Sequence, residues 1–326
     1  MNLVESYKDE LKLIEKPWTR CWVALLIVGV ILFPLFGSEH FVYLATLIFI
    51  FSIGILGQNI LIGYTGQISL GQAGFLAIGA FSFGHLTRMG VPLGLCLIGA
   101  GCMAAIFGVL VGFPSLRLKG PYLAIVTLGF GIAVYQVFTS YEVLSGGRMG
   151  MVVPKFPALF GLTSELSMYY FVFLLCVIFL TATYNLISSY IGRAFVAIRD
   201  NDIAAEVLGV NLSNYKLLSF AISSFYTGVS GALYGMFMGF LDPQMFNFSE
   251  TLLIFVAVII GGLASVEGAL FGAAFVILIP QLLSGYNELT PVILGVTVVI
   301  IMIFEPLGLA GRWFKMRLYW RNWPFR

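Results

Sequence analysis

Ten apolar runs, most of them near the length that crosses a bilayer, follow one another with little between them: 22–37, 41–62, 71–87, 91–113, 122–139, 167–190, 217–241, 252–262, 264–283 and 290–307. Backbone N–H and C=O groups have no partner in hydrocarbon except each other, which suits runs of about 20 residues to helices. Composition agrees: 60% hydrophobic and 10% charged residues, with a mean hydropathy of +1.00, leave too little polar surface to cover a soluble globule of 326 residues. The chain reads as all-α, a polytopic transmembrane bundle of about ten spans over 22–308, with a charged leader at 1–21 and a basic tail at 309–326. No length remains for a soluble catalytic domain.

The net charge of +2 says little, but its distribution says more. With the N-terminus inside, the inner segments collect Lys8, Lys12, Lys16 and Arg20, then Arg117 and Lys119, then Arg193, Arg199 and Lys216, then Arg312, Lys315, Arg317, Arg321 and Arg326. Only Arg88, Arg148 and Lys155 fall outside. This positive-inside bias predicts two cytoplasmic termini, and an odd miscount in the middle would reverse the later clusters. Interleaved acids and bases rule out a cleaved signal at the N-terminus. There Val4, Tyr7, Leu11, Ile14 and Trp18 set an apolar stripe for a helix on the bilayer surface, although a frayed charged tail accounts for them too. Nucleic acid is not an expected partner.

Most catalytic chemistry is missing. No Gly-x-x-x-x-Gly-Lys-Ser/Thr loop occurs, so the chain is not expected to hold ATP in that manner, and no cofactor is expected. His40 and His85 lack metal-site neighbours, and Cys21, Cys96, Cys102 and Cys176 are spaced neither for zinc nor for disulfides and read as small core residues. No metal is expected. A hydrolase would need a Ser with a His or Lys base, or paired aspartates in facing spans, and neither pattern is present. An ion-coupled carrier would keep charge inside the bilayer, where an ionisable group costs about 3 kcal/mol on insertion scales. Glu267 and Glu305 are the candidates, and Glu267 is open to an interfacial reading.

Two glycine-rich stretches interrupt the spans: GYTGQISLGQAGF at 63–75 and GGLASVEGALFGAAF at 261–275, the second after a run of only eleven residues. Polar or irregular backbone at membrane depth survives only where protein or water satisfies it, so both stretches face either a pathway or a tight helix contact. Ser69 with Ala73 and Ser265 with Ala269 share a spacing that hints at internal duplication.

The segment 191–216 is too long and too patterned for a plain inner loop. Gly192 and Arg193 are expected to end a span, and Asp200 and Asp202 to cap or begin a short helix. Ile203, Ala204, Ala205, Val207 and Leu208 then supply an apolar patch before Gly209 stops it. Such a helix either docks into a groove on another protein or lies on lipid headgroups, and the acidic face of Asp200, Asp202 and Glu206 disfavours anionic lipid. On the outside, 140–167 is the longest loop, open to reading as a landing surface for a soluble partner or as a plain solvated loop.

GYTGQISLGQAGF, then PSLRLKGPYLAIVTLGFG at 114–131, then 192–209, in that order, closely resemble the LivM-type permease subunits of bacterial branched-chain amino-acid ABC importers, with likeness over roughly 40–310. The resemblance implies a multi-pass protein of the bacterial inner membrane. It also implies a homologous second permease as heterodimer partner, two ATPase subunits that bind ATP, and a periplasmic or tethered substrate-binding protein. Ala204, Ala205 and Gly209 match the offsets of an importer coupling helix, flanked by Arg193 and Asp200. Ile203 stands where the usual loop has Glu, which leaves the acidic contact to Asp202 or Glu206. The implied mechanism is alternating access, with selectivity resting largely on the binding protein. A pathway for a released zwitterion needs only weak polar groups, for which Gln58, Asn59, Gln67, Ser69 and Gln72 are the candidates, with helix packing as the competing account of each. Related permeases also carry other amino acids, urea or short amides, and an ion-coupled secondary carrier is the alternative of another class.

Overall fold

A computed structural model describes residues 29–34, 37–118, 120–158, 163–282, 290–304 and 308–312. The expected surface helix of the leader, Glu305 and the tail beyond Arg312 lie outside the described residues. Among the described residues eleven labelled helices carry the fold. α1 (Glu39–Asn59) passes into a π turn (Ile60–Tyr64) and is followed by α2 (Gln72–Arg88), α3 (Leu93–Ser115) and α4 (Pro121–Ser140). Then come α5 (Ser164–Ser188), α6 (Tyr190–Asp200), α7 (Asp202–Val207) and α8 (Leu212–Met238), and finally α9 (Phe248–Gly261), α10 (Val266–Leu282) and α11 (Thr290–Phe304). The chain is all-α as its pattern predicts. Among the described residues five helices are long and apolar enough to cross a membrane: Glu39–Tyr64, Leu93–Ser115, Pro121–Ser140, Ser164–Ser188 and Leu212–Met238.

The eleven-residue run at 252–262 is the end of α9, which begins earlier, at Phe248, after a 3-10 turn at Pro243–Phe246. α9, with 14 residues, extends about 21 Å at 1.5 Å per residue, short of a hydrocarbon core of about 30 Å. α10, described over Val266–Leu282, follows it across the Gly262–Ser265 connection.

At the centre of the bundle α8 packs against α1, α2 and α3 at once, while α1 also packs on α5 and α10. Lipid tails give helices no hydrophobic reason to associate, so close contact depends on small residues. α8 supplies them where it crosses its neighbours: a Cβ on Gly79 would run into the backbone of Gly228, and one on Gly228 into Ala104 and the Ala100 carbonyl. The glycines of the second stretch do the same for α9 and α10, with Gly268 against the Gly261 carbonyl and Gly272 against Ala257. Phe75, Phe81, Phe83, Ile50, Ile53 and Leu233 fill the spaces between. α4, by contrast, turns Tyr122, Ile125 and Ile132 outward. Cys96 and Cys176 are buried, but Cys102 is exposed on α3, against the expectation of a core cysteine, because an apolar exterior accepts a thiol as readily as the core does.

The 140–167 connection is more than a solvated loop. Met151–Val152 pairs antiparallel with Phe240–Leu241, and Met151, Val153 and Phe156 are buried. The connection between α4 and α5 is thereby clipped to the one between α8 and α9.

Gly79→Ala should lower the thermal midpoint of the detergent-purified protein, by the equivalent of about 1–3 kcal/mol of overpacking. Gly129→Ala, where an added methyl meets nothing within 4 Å, should leave it unchanged; equal midpoints for the two variants would refute the close-crossing account.

Candidate functional site

Where α1 ends, the chain runs through Thr65–Gly71 without helix before α2 starts. Most of this break packs against the bundle; side chains of α1 and α4 bond its backbone, and side chains of α2 and α8 extend the network. Gln58 Nε2 donates to the Ser69 carbonyl at 2.8 Å, and the Leu70 N–H donates to Thr127 Oγ1 of α4 at 2.8 Å. Gln67 Nε2 donates to Ser219 Oγ of α8 at 2.7 Å. Gln72 Nε2 donates to Gln58 Oε1 and to Ser223 Oγ, the latter at 3.3 Å, while Thr227 Oγ1 donates to Gln72 Oε1 at 2.7 Å. Interhelical bonds of this kind contribute about 0.6–2 kcal/mol each in a membrane, and together they fix the course of the break.

The second break is built reciprocally. Asn59, just ahead of the first break, receives the Ala264 N–H on Oδ1 at 2.9 Å and donates Nδ2 to the Ser265 carbonyl at 2.7 Å. Ala264 stands at φ +56°, a left-handed conformation unfavourable for alanine, and this amide clamp holds it there. In return Thr251 of α9 accepts the Ala73 N–H at the start of α2 on its hydroxyl, at 3.1 Å. Gln58, Asn59, Gln67, Ser69 and Gln72 are thus all buried and all drawn into this one lattice.

At the end of the bundle that carries α6 and α7, the 191–216 segment forms two helices and the first turn of α8. Ser189 caps α6 by accepting the Ile191 N–H at 3.2 Å, which puts Gly192 and Arg193 in the first turn of α6 and not at the end of a span. α6 buries Gly192, Ala194, Phe195 and Ile198 on one side. The cap of α7 is Asn201, whose Oδ1 accepts from Ile203 N at 3.0 Å and Ala204 N at 3.1 Å, and not either neighbouring aspartate. An aspartate offers the same acceptor, so sequence alone could not choose among three adjacent candidates. Asp200 instead closes α6 beside Arg199 at 3.0 Å, and Asp202 forms an ion pair with Lys216 of α8 at 2.8 Å.

Gly209 ends α7 as its position predicts. At φ +86° its N–H donates to the Glu206 carbonyl at 2.9 Å, and the Val210 N–H donates to the Ala205 carbonyl at 3.0 Å, the two bonds of a Schellman stop. Of the expected apolar patch, Ala205 is buried against the bundle, while Ala204 and Glu206 are exposed. Ile203, Val207 and Leu208 stand 70%, 82% and 82% exposed, an apolar knob without cover among the described residues. Arg193 is exposed in the first turn of α6, with Nη1 on the Ser188 carbonyl at 3.3 Å.

Two features went unread in the sequence. Arg199 Nη1 donates to the Gly63 carbonyl in the π turn at 3.1 Å, and Thr127, Ser219, Ser223, Thr227 and Thr251 supply the break with partners. The second set carries a signal: Ser219, Ser223 and Thr227 recur every four residues along one line of α8. Glu267 is exposed at the start of α10, lining with Tyr64, Thr181, Tyr184 and Asn185 a groove of about 810 Å³ beside the second break.

Comparison with known proteins agrees with this architecture. Residues 40–303 match the model of the family described as branched-chain amino acid transport system / permease component. The chain is 35% identical over 314 residues to the high-affinity branched-chain amino acid transport system permease protein LivM of Escherichia coli, covering 88% of this chain and 73% of that protein. It is 24% identical over 309 residues to LivH of the same organism, covering 84% and 98%. A probable branched-chain amino acid transport permease protein LivM of Methanocaldococcus jannaschii is 26% identical over 241 residues, covering 67% and 69%. No solved structure matches. By the span of the family match and its identity to LivM, the chain belongs to the branched-chain amino acid transport permease family and is of the LivM type.

Proposed function

We propose that this chain is one of two permease subunits in an ATP-driven importer of branched-chain amino acids, and that α7 is the helix by which separate ATPase subunits move it. The observation that carries the reading is the apolar knob of Ile203, Val207 and Leu208, exposed on a helix already capped at both ends. Exposed apolar side chains grouped on a polar surface mark sites where another protein binds. Asp200 and Asp202 beside them are paired with Arg199 and Lys216, while Glu206 is exposed on the same helix and adds no attraction to anionic lipid. In this reading the α6–α7 end is cytoplasmic, both termini lie on that side, and about ten spans cross an inner membrane. The chain itself binds no nucleotide and catalyses no reaction.

The likeness to both LivM and LivH supports a second, homologous permease as the partner across the membrane. A substrate-binding protein on the outer side would deliver the amino acid and set most of the selectivity. Gln58, Asn59, Gln67, Ser69 and Gln72 act, in this reading, by shaping the break beside the pathway, since their polar groups, Gln67 Oε1 excepted, are engaged with other parts of the chain. Arg193, Asp200, Asp202, Ala204, Ala205, Glu206 and Gly209 build and present the coupling helix.

Val207→Arg should leave insertion intact and abolish co-purification with the ATPases, because Val207 touches solvent and not the bundle; a normal complex from this variant would end the docking assignment. Gly209→Pro should do the same through α7 itself, since proline holds φ near −65° where Gly209 sits at +86° and also removes the N–H bonded to Glu206. Calorimetry on the cognate binding protein should show heat with leucine, isoleucine or valine and none with urea or acetamide; the opposite pattern would reassign the cargo.

A further inference from the structure

A helix leaves its last four carbonyls without intrahelical partners, and at membrane depth each must find one. At the end of α1 most of them do so locally. The Ile60 carbonyl is reached by Thr65 Oγ1 at 3.4 Å, that of Leu61 by the Gln67 N–H at 3.0 Å, and that of Ile62 by the Gly66 N–H at 3.1 Å. The Gly63 carbonyl receives its donor from 136 residues away, from the guanidinium of Arg199, at 3.1 Å. Arg199 is the penultimate residue of α6, three before α7 begins at Asp202, and its Nε and Nη2 also hold Asp200 at 3.1 and 3.0 Å.

The contact is close along its whole length. Gly66, at φ +69°, lies so near that a Cβ there would come within 3.1 Å of Arg199 Cγ. The carbonyl that Arg199 engages belongs to a π turn. That geometry is rare, differs from an α-helix by a single residue of register, and recurs at functional positions. A one-residue change of register here would displace Thr65, Gly66 and Gln67, and with them the Gln67–Ser219 bond.

There is room for such a movement. Arg199, Asp202 and Lys216 line, together with Thr65, Gly66 and Gln67, a cavity of about 120 Å³ at the foot of the break. Gln67 Oε1 is buried and without a hydrogen-bond partner among the described residues, while Gln67 Nε2 is bonded.

We infer that Arg199 is a positioning residue of transport: its guanidinium, capping the Gly63 carbonyl, is the link through which movement of α6 and α7 reaches the break between α1 and α2. The inference rests on the reading of α7 as the ATPase-docking helix and adds to it the point at which the push enters the membrane bundle. The Asp202–Lys216 pair gives α8 a second attachment to the same helix, so the loss of Arg199 should disconnect the break without undocking the ATPases.

The test uses the full complex of both permeases, the ATPases and the binding protein in proteoliposomes, with ATP hydrolysis and radiolabelled leucine uptake measured on the same vesicles. Arg199→Met should assemble normally and hydrolyse ATP at close to the native rate. Leucine taken up per ATP should fall about tenfold or more, as expected when a charge-assisted hydrogen bond favouring one state is lost. Arg199→Lys keeps the cation at the helix end and should recover part of that ratio. A native uptake-to-hydrolysis ratio in Arg199→Met would overturn the inference, as would hydrolysis and uptake falling in step or loss of the ATPases from the complex, since Arg199 would then serve docking or assembly. Val207→Arg run alongside separates the two readings: if it binds the ATPases normally, the docking assignment fails whatever Arg199→Met does, and if it loses them, a native ratio in Arg199→Met removes only the role of Arg199.

Discussion

The need to satisfy every backbone polar group inside the bilayer governs this structure more than any other constraint. Two of the connections between its helices, Thr65–Gly71 and Gly262–Ser265, are irregular and packed against the bundle, and each would otherwise leave N–H and C=O groups unpaired. The chain meets the need by making each break the partner of the other. Asn59, before the first, holds the backbone of the second; Thr251, before the second, holds the backbone that follows the first. Neither can be rebuilt without disturbing its counterpart. α8 stands beside the first as a straight rail of Ser219, Ser223 and Thr227, close enough to serve because Gly228 lets α2 and α3 approach it.

Much of this was legible in the sequence, and the rest was illegible for physical reasons. Apolar runs mark the spans because lipid imposes a minimum length, and the glycine-rich interruptions mark the breaks because nothing else explains polar residues there. The stop at Gly209 was legible because a left-handed residue after a short helix is a local requirement. Asn201 was missed because its neighbours Asp200 and Asp202 carry the same acceptor, and the choice among the three depends on which backbone amides point back. The clip between Met151–Val152 and Phe240–Leu241 was out of reach, since two paired residues are too few to show a period. The Arg199–Gly63 contact was out of reach for another reason: a cation near a membrane surface is ordinary in sequence, and only the fold reveals which carbonyl lies beside it.

Family membership and geometry answer different questions here. The likeness to LivM over most of the chain gives the family. The geometry adds that α6 lies against the bundle while α7 exposes Ile203, Val207 and Leu208. The five amide and hydroxyl side chains that sequence alone offered as a lining are tied up in holding the irregular connections between helices.

A helix as short as α7, six residues, does not persist in water by itself, because the cost of its first turn is never recovered over so few bonds. Here Asn201 at one end and the glycine stop at the other hold the shape before anything binds, and the buried Ala205 anchors it from below. The entropy of ordering this element is therefore met once, when the protein folds. A partner that meets this knob finds it already shaped, and none of the free energy of contact goes into ordering the helix.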